Sequence, residues 1–232
     1  MLSTLAFDAD DTLWENEEIF HLTEARFHDL IAQHVDAADL SKTLIATERR
    51  NLGYYGYGIK GFTLSMIETA IEVTGGQIPA QDIQEIIQAG REMKDHPTAP
   101  LAHVETVLKQ LSDDFRLIVI TKGDLFDQEQ KLAQSGLGDY FDGVEIVSEK
   151  SKETYQTIFD QYGDGPKRSM MIGNSLKSDI LPALNAGAYG VHIPHSKTWA
   201  LEHAETPEDS HHFWQLDSIS ALPALVQKLM KA

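Results

Sequence analysis

Apolar residues along this chain follow two periods, and the period changes with position. Short runs rich in β-forming residues recur: "STLAF" near the N-terminus, "FRLIVIT" at 115–121, "GVEIVS" at 143–148, "RSMMIG" at 168–173 and "YGVHIP" at 189–194. Unbroken apolar runs of this length, bounded by turn residues, predict buried strands. Helical patterns separate the later runs: "LFDQEQKLAQSGL", "KETYQTIFDQYG" stopped at Gly163, and "SDILPALNAG" stopped at Gly187. Such alternation implies a parallel, doubly wound sheet. "HFWQLDSI" predicts a last edge strand, and Leu222, Leu225, Val226 and Leu229 predict a closing helix capped by Ser220.

Between residue 15 and about residue 95 the pattern is different. Phe20, Phe27 and Ile31, then Leu40 and Leu44, then Leu64, Ile67 and Ile71, then Ile83, Ile86 and Ile87 repeat at helical intervals, with no convincing strand among them. The expectation is an α/β fold, a Rossmann-like core built from 1–14 and 96–232, with an all-helical segment at 15–95 inserted after the first strand. Gly75 and Gly76 punctuate the insertion, and "DHPTAP" (Asp95–Pro100) reads as a hinge back into the core. "NLGYYGYGIKGF" (Asn51–Phe62) has two readings: a mobile loop able to lay Tyr55, Tyr57 or Lys60 on a ligand, or a plain connection between helices.

Composition narrows the choice of partners. Nineteen basic against thirty-six acidic residues give a formal charge of −17, so the surface repels phosphate backbones and anionic lipid, and neither nucleic acid nor membrane is expected. An anionic ligand would need locally gathered cations. The absence of cysteine excludes disulfides and thiolate chemistry. "MLSTLAFDAD" has no basic or long apolar leader, and no stretch approaches the roughly 18 apolar residues of a membrane span. A cytoplasmic location is expected.

The first strand ends in "FDADDT". Asp8 and Asp10 share a face in an extended chain and sit at the strand's C-terminal mouth, where open α/β sheets bind ligands. Two ionised carboxylates so close repel unless a cation joins them or one keeps a proton, and an all-oxygen donor set suits Mg²⁺. The bland reading is a capped turn. Three further strand mouths favour the first. "VITKGD" offers Thr121, Lys122 and Gly123 to an anion, "SEKSK" offers Lys150 and Lys152, and "MMIGNSLKSDI" offers Asn174, Ser175 and Asp179. Carboxylates, a hydroxyl and lysines along one sheet edge suit metal-assisted phosphoryl transfer. The ten histidines, among them His192, His195, His203, His211 and His212, match no zinc spacing. The segment "HSKTWALEHAETPED" is long for a structureless loop and is expected to flank the pocket or meet a partner.

The order of these residues resembles the haloacid dehalogenase-like superfamily of hydrolases, whose motifs are Asp-x-Asp-x-Thr, a Ser or Thr after a strand, a Lys, and Gly-Asp-x-x-x-x-Asp. Here they read Asp8-Ala9-Asp10-Asp11-Thr12, Thr121, Lys152, and Gly173-Asn174 through Asp179. The helical insertion stands where that family carries a cap. The resemblance implies Asp8 as nucleophile, Asp10 as general acid and then base, and Thr121, Lys122, Gly123 and Lys152 around the phosphate. Asp8, the main-chain carbonyl of Asp10, Asp179 and Asn174 would then hold Mg²⁺. Asp11 is left to serve the turn.

Two positions depart from the family pattern. Asn174 stands where an acidic residue is usual, and Lys152 precedes Glu153 rather than proline, with Lys150 two residues away as the other candidate. The implied function is hydrolysis of a small phosphorylated metabolite through an aspartyl-phosphate. Halide displacement from a 2-haloacid is the nearest alternative; family members that catalyse it lack the second aspartate, since halide leaves without a proton. A receiver-like phospho-aspartate signalling domain is an alternative of another class, but such domains phosphorylate an Asp after the third strand, where this chain has "EIVSEK".

Overall fold

The computed structural model describes residues 1–35, 39–207 and 211–231, so the last two residues of "HSKTWALEHAETPED" lie outside the described residues. By its contacts the chain divides into two compact units, one formed by Met1–Glu17, Thr98–Lys122 and Gln128–Ala232, the other by Glu18–Pro97 and Gly123–Asp127. The short stretch after the second strand, Gly123 included, thus groups with the helical segment rather than with the sheet.

In the first unit, β1 (Thr4–Phe7) is followed by α5 (Val104–Leu111), β2 (Arg116–Lys122), the body of α6 (Leu125–Ser135), β3 (Gly143–Val147), α7 (Lys152–Tyr162), β4 (Ser169–Gly173), α8 (Leu181–Ala186), β5 (Tyr189–His192), β6 (Phe213–Gln215) and α9 (Leu222–Lys231). All pairings are parallel, in the order β3-β2-β1-β4-β5-β6. The order reverses between β1 and β4, which makes their mouths the place where a doubly wound sheet opens a crevice. Alternation along the strands feeds two cores. Leu5, Phe7, Leu117, Val119, Met170 and Ile172 pack with Val104, Leu108, Leu222 and Val226 of α5 and α9. Ala6, Ile118, Ile120 and Met171 face Tyr155, Phe159 and Ala183 of α7 and α8. Burial on both faces explains why β1, β2 and β4 read as unbroken apolar runs, whereas β3, expected as a buried strand, lies at the sheet edge with no buried residue.

Two local details differ from expectation. The first turn after β4 is a π-helical turn, Leu176–Ile180, capped by Ser175, and α8 proper begins only at Leu181. Ahead of α9 the capping hydroxyl is Ser218, which accepts the Ser220 N–H, so Ser220 is capped rather than capping. The eight-residue α5 was not anticipated.

The second unit contains α1 (Glu17–Ile31), α2 (Leu40–Tyr55), α3 (Ile59–Val73) and α4 (Ala80–Lys94). Phe27, Ile31, Leu40, Leu44, Ile59, Phe62, Met66 and Ile86 form its core. Helix α3 carries two apolar stripes. The stripe Ile59, Phe62, Met66 and Ala70 goes inward, which leaves Leu64 and Ile71, whose helical spacing marked this segment, on the exposed side together with Ile87 of α4. Helices α3 and α4 approach closely at Gly90, where an added Cβ would lie 2.3 Å from Thr63 Oγ1. The passage Asn51–Phe62 is a helix connection: only Gly56–Gly58 separates α2 from α3, Gly56 and Gly58 holding positive φ. Tyr54 and Tyr55 stay exposed, and Lys60 pairs with Asp124 at 2.8 Å. Among the described residues, no helix is long and apolar enough to cross a membrane.

Candidate active site

The mouth of β1 turns sharply. Asp8 still donates its N–H to the Ile172 carbonyl, but Thr12 and Leu13 already donate back to Ala9, and Asp11 adopts a φ of 60°. Asp11 spends its carboxylate on local structure, accepting the backbone N–H groups of Asn16 and Glu17 at 2.8 and 3.0 Å, just where α1 begins. Burial pushes it up to about 6, against the pull of those two N–H groups. His195 lies beside it, with Nδ1 3.7 Å from Asp11 and Nε2 3.2 Å from Glu15. The ligand atoms of these three residues fall within 4.8 Å of one another.

The centre of the site is a lysine between two carboxylates. Lys150 Nζ lies 2.5 Å from Asp8 Oδ1 and 2.7 Å from Asp179 Oδ1, and all three residues are buried. Burial and then the Asp179 charge raise the Asp8 carboxyl to about 7, although Lys150 draws it back. Burial alone would lower the Lys150 ammonium; Asp179 and Asp8 outweigh it and hold the lysine above its usual range. Asp179 reaches this position because Gly173 has no side chain: a Cβ there would stand 2.2 Å from Asp179 Oδ2. The same oxygen accepts the Ser175 N–H at 2.9 Å, which fixes the carboxylate against the π-helical turn.

The lysine at this centre is Lys150, not Lys152. Ser151 is the N-cap of α7, its hydroxyl accepting the Thr154 N–H, so Lys152 is the first helical residue and points to solvent. The residue before the cap, still in the extended approach from β3, is the one that turns inward.

Thr12 links the strand mouths. Its hydroxyl stands 3.1 Å from Asp8 Oδ2 and 3.3 Å from Asn174 Oδ1 and accepts the Asn174 N–H. One hydroxyl proton serves one of those two oxygens at a time. His192 Nε2 lies 2.9 Å from the Asn174 carbonyl, so Asn174 is held from both sides. Thr121 is buried at the end of β2. Lys122, expected to face an anion, is engaged by its own chain: Nζ donates to Ser178 Oγ at 2.7 Å and to Glu202 at 2.8 Å. Glu202 also accepts from Ser175 and Ser178, which brings a short 3₁₀ turn, Ala200–Glu202, onto the same sheet edge. Burial would raise the Glu202 carboxyl, but Lys122 and the two serines hold it below the usual range.

Asp10 stands apart from the Lys150 centre in its bonding. Trp14 Nε1 and Lys131 Nζ donate to Oδ1 at 2.8 and 2.9 Å, and Gln128 Nε2 donates to Oδ2 at 2.7 Å. Gln128, Lys131 and Glu202 were not anticipated. The available signal was the spacing of Gln128 and Lys131, which puts both on one face of the helix that follows the β2 mouth.

Asp8, Asp179 and Asn174 thus bring three side chains with hard oxygen donors to the β1–β4 switch point, where Asp8 and Asp179 already share the Lys150 ammonium. That donor set fits Mg²⁺.

Comparison with known proteins gives three kinds of match. The family model for haloacid dehalogenase-like hydrolases matches residues 2–187. The chain is 24% identical over 240 residues to the human N-acylneuraminate-9-phosphatase, covering 96% of this chain and 93% of that protein. Among solved structures, a haloacid dehalogenase-like family hydrolase from Xanthomonas campestris superposes with a TM-score of 0.88 at 41% identity, over 98% of this chain and 91% of that one. A 2-haloacid dehalogenase from Pseudomonas syringae pv. Tomato shares the fold, with a TM-score of 0.65 at 20% identity, over 99% of this chain and all of that one.

Proposed function

The chain belongs to the haloacid dehalogenase-like hydrolases, and from that premise we propose that it is a Mg²⁺-dependent phosphatase that cleaves a small phosphomonoester through an aspartyl-phosphate on Asp8. The observation that carries this reading is the second aspartate. Asp10 stands two residues beyond Asp8, its carboxylate held by three donors of the same unit. An alkoxide needs a proton in order to leave, and a halide does not.

Asp8 attacks phosphorus as the bond to the leaving oxygen breaks, and that oxygen takes the proton of Asp10. Water then attacks the aspartyl-phosphate and gives its proton back to Asp10. Lys150, between Asp8 and Asp179, draws the nucleophile towards its ionised form and offsets charge on the transferring phosphoryl group. Thr121 would bind its oxygens. Asp8, Asp179, Asn174 and the main-chain carbonyl of Asp10 would hold Mg²⁺, which when bound supplies further positive charge against the phosphate dianion. The human relative's name points to phosphorylated sugar acids as the first compounds to screen.

The test is hydrolysis of p-nitrophenyl phosphate with Mg²⁺, with EDTA, and by Asp8→Asn. Turnover should need the metal and fall by about 10⁴-fold or more in the variant, as when other enzymes lose a nucleophile. A folded protein that leaves the ester intact but releases halide from 2-chloropropionate would replace this reading with the dehalogenase one.

A further inference from the structure

The bonding around Asp10 is more specific than a general acid requires. A carboxylate has about four lone-pair sites, two on each oxygen. On Oδ1 both are taken, by the indole N–H of Trp14 and the ammonium of Lys131. On Oδ2 one is taken, by the Gln128 amide. Among the described residues one acceptor site remains on the whole group, and it is on Oδ2.

The donors are themselves fixed. Lys131 also donates to Asn16 Oδ1 at 2.6 Å, and the other N–H of Gln128 goes to the Lys122 carbonyl at 2.9 Å. Both neighbours of the Gln128 nitrogen are acceptors, so the amide has one workable orientation. That orientation leaves Gln128 Oε1 buried with no hydrogen-bond partner among the described residues. A buried carbonyl without a donor is destabilising, and such orphans are rare in folded proteins. The chain retains this one, and with it the N–H on Asp10.

Resting on the phosphatase reading, we infer that Lys131 and Gln128 are positioning residues for Asp10: they close Oδ1 and fix the carboxyl plane, so that the proton given to the leaving oxygen and later recovered from water travels only on Oδ2. Neither residue touches the phosphoryl group. In the first step the P–O bond to the leaving group breaks with its electron pair on that oxygen, a P–O bond to Asp8 forms, and the Oδ2 proton moves to the leaving oxygen. In the second, water oxygen bonds phosphorus, the bond to Asp8 breaks with its pair on Asp8, and a water proton returns to Oδ2.

A positioning role differs from a structural one in its dependence on the leaving group. Nitrophenolate departs almost without help, whereas phenolate needs the proton. The experiment measures kcat/KM for p-nitrophenyl phosphate and phenyl phosphate with wild type, Lys131→Met, Gln128→Leu and Lys131→Arg, after circular dichroism confirms folding. In Lys131→Met and Gln128→Leu, phenyl phosphate should lose about 10²-fold, the lower range of general-acid contributions, and p-nitrophenyl phosphate less than about tenfold. Lys131→Arg should restore most of the phenyl phosphate activity. Equal losses on both esters, or none on either, overturn the inference and leave the phosphatase reading standing. A wild type that cleaves neither ester overturns both.

Discussion

In the α/β unit, Asp8, Lys150 and Asp179 are almost wholly removed from water, whereas the Arg26–Glu92 pair of the helical unit remains in it. Lys150 is 2% exposed in its side chain, and the Arg26–Glu92 pair about half exposed on each side, yet the two contacts have nearly the same length, 2.5 Å for Lys150–Asp8 and 2.6 Å for Arg26–Glu92. Distance therefore says little about what a pair does. Buried charges are expensive to desolvate, and breaking such a pair strands a charge; exposed pairs are screened and contribute little. A protein tolerates the first kind where chemistry needs it, and the raised carboxyl of Asp8 is the sign that the cost has not been fully offset.

The largest expected effect comes from breaking the buried centre. Lys150→Met leaves Asp8 and Asp179 without their shared cation and should destabilise the protein by about 3–5 kcal/mol, the usual cost of removing one partner of a buried pair. Lys152→Met, at an exposed helix start, should stay within about 0.5 kcal/mol. Urea unfolding of both variants in EDTA measures the difference, and equal midpoints would show that the two lysines are not distinguished. Next is Gly173→Ala. Its Cβ would press on Asp179 Oδ2 from 2.2 Å, and a shift of that carboxylate by about 1 Å should cost on the order of 10²-fold in activity. Activity within twofold of wild type would mean that Asp179 yields without consequence.

The inner strands of the sheet were legible because they are buried on both faces, which writes them as plain apolar runs; Leu5, Ala6 and Phe7 serve opposite cores but are equally apolar. The helical unit was legible in its helices but not in their rotation. Helix α3 has two apolar stripes, and only packing decides that Met66 goes in and Leu64 stays out. At the site, Asp8, Thr121 and Asn174 were legible as strand-mouth positions, and Asp179 by its spacing from Gly173 into the turn after β4. The choice between Lys150 and Lys152 turned on where α7 begins, and a cap at Ser151 moves the inward-facing residue by two positions. Gln128 and Lys131 share a face of the helix after β2, which their spacing records, but their pairing with Asp10, 118 and 121 residues away along the chain, is written in no local pattern.

Between the two extremes stands His195, in partial contact with water. Burial would lower its imidazole, but the Lys197 carbonyl, Asp11 and Glu15 outweigh that and hold it above the ordinary imidazole range. A histidine raised in the folded state contributes stability that is fully present below its unfolded value and is lost as pH rises through the folded one. His195→Gln should therefore destabilise more at about pH 6 than at about pH 9. Urea midpoints at the two pH values measure this, and an equal loss at both would mean that packing, not charge, is what His195 supplies.

The smallest effect should come from the exposed side of the comparison. Arg26 Nη1 and Glu92 Oε2 stand 2.6 Å apart across the helical unit, with Gln88 donating to the other Glu92 oxygen. Geometry alone would rank this pair with Lys150–Asp8. Exposure argues otherwise: two long side chains give up rotamer freedom to meet, water screens the attraction, and salt screens it further. A double-mutant cycle with Arg26→Ala and Glu92→Ala should give a coupling of about 0.2–1 kcal/mol in low salt, shrinking towards zero near 1 M NaCl. A coupling above about 2 kcal/mol that survives high salt would put this pair in the class of the buried ones. The contrast between the units would then rest on something other than access to water, and the raised Asp8 carboxyl would need a cause beyond burial and its Asp179 neighbour.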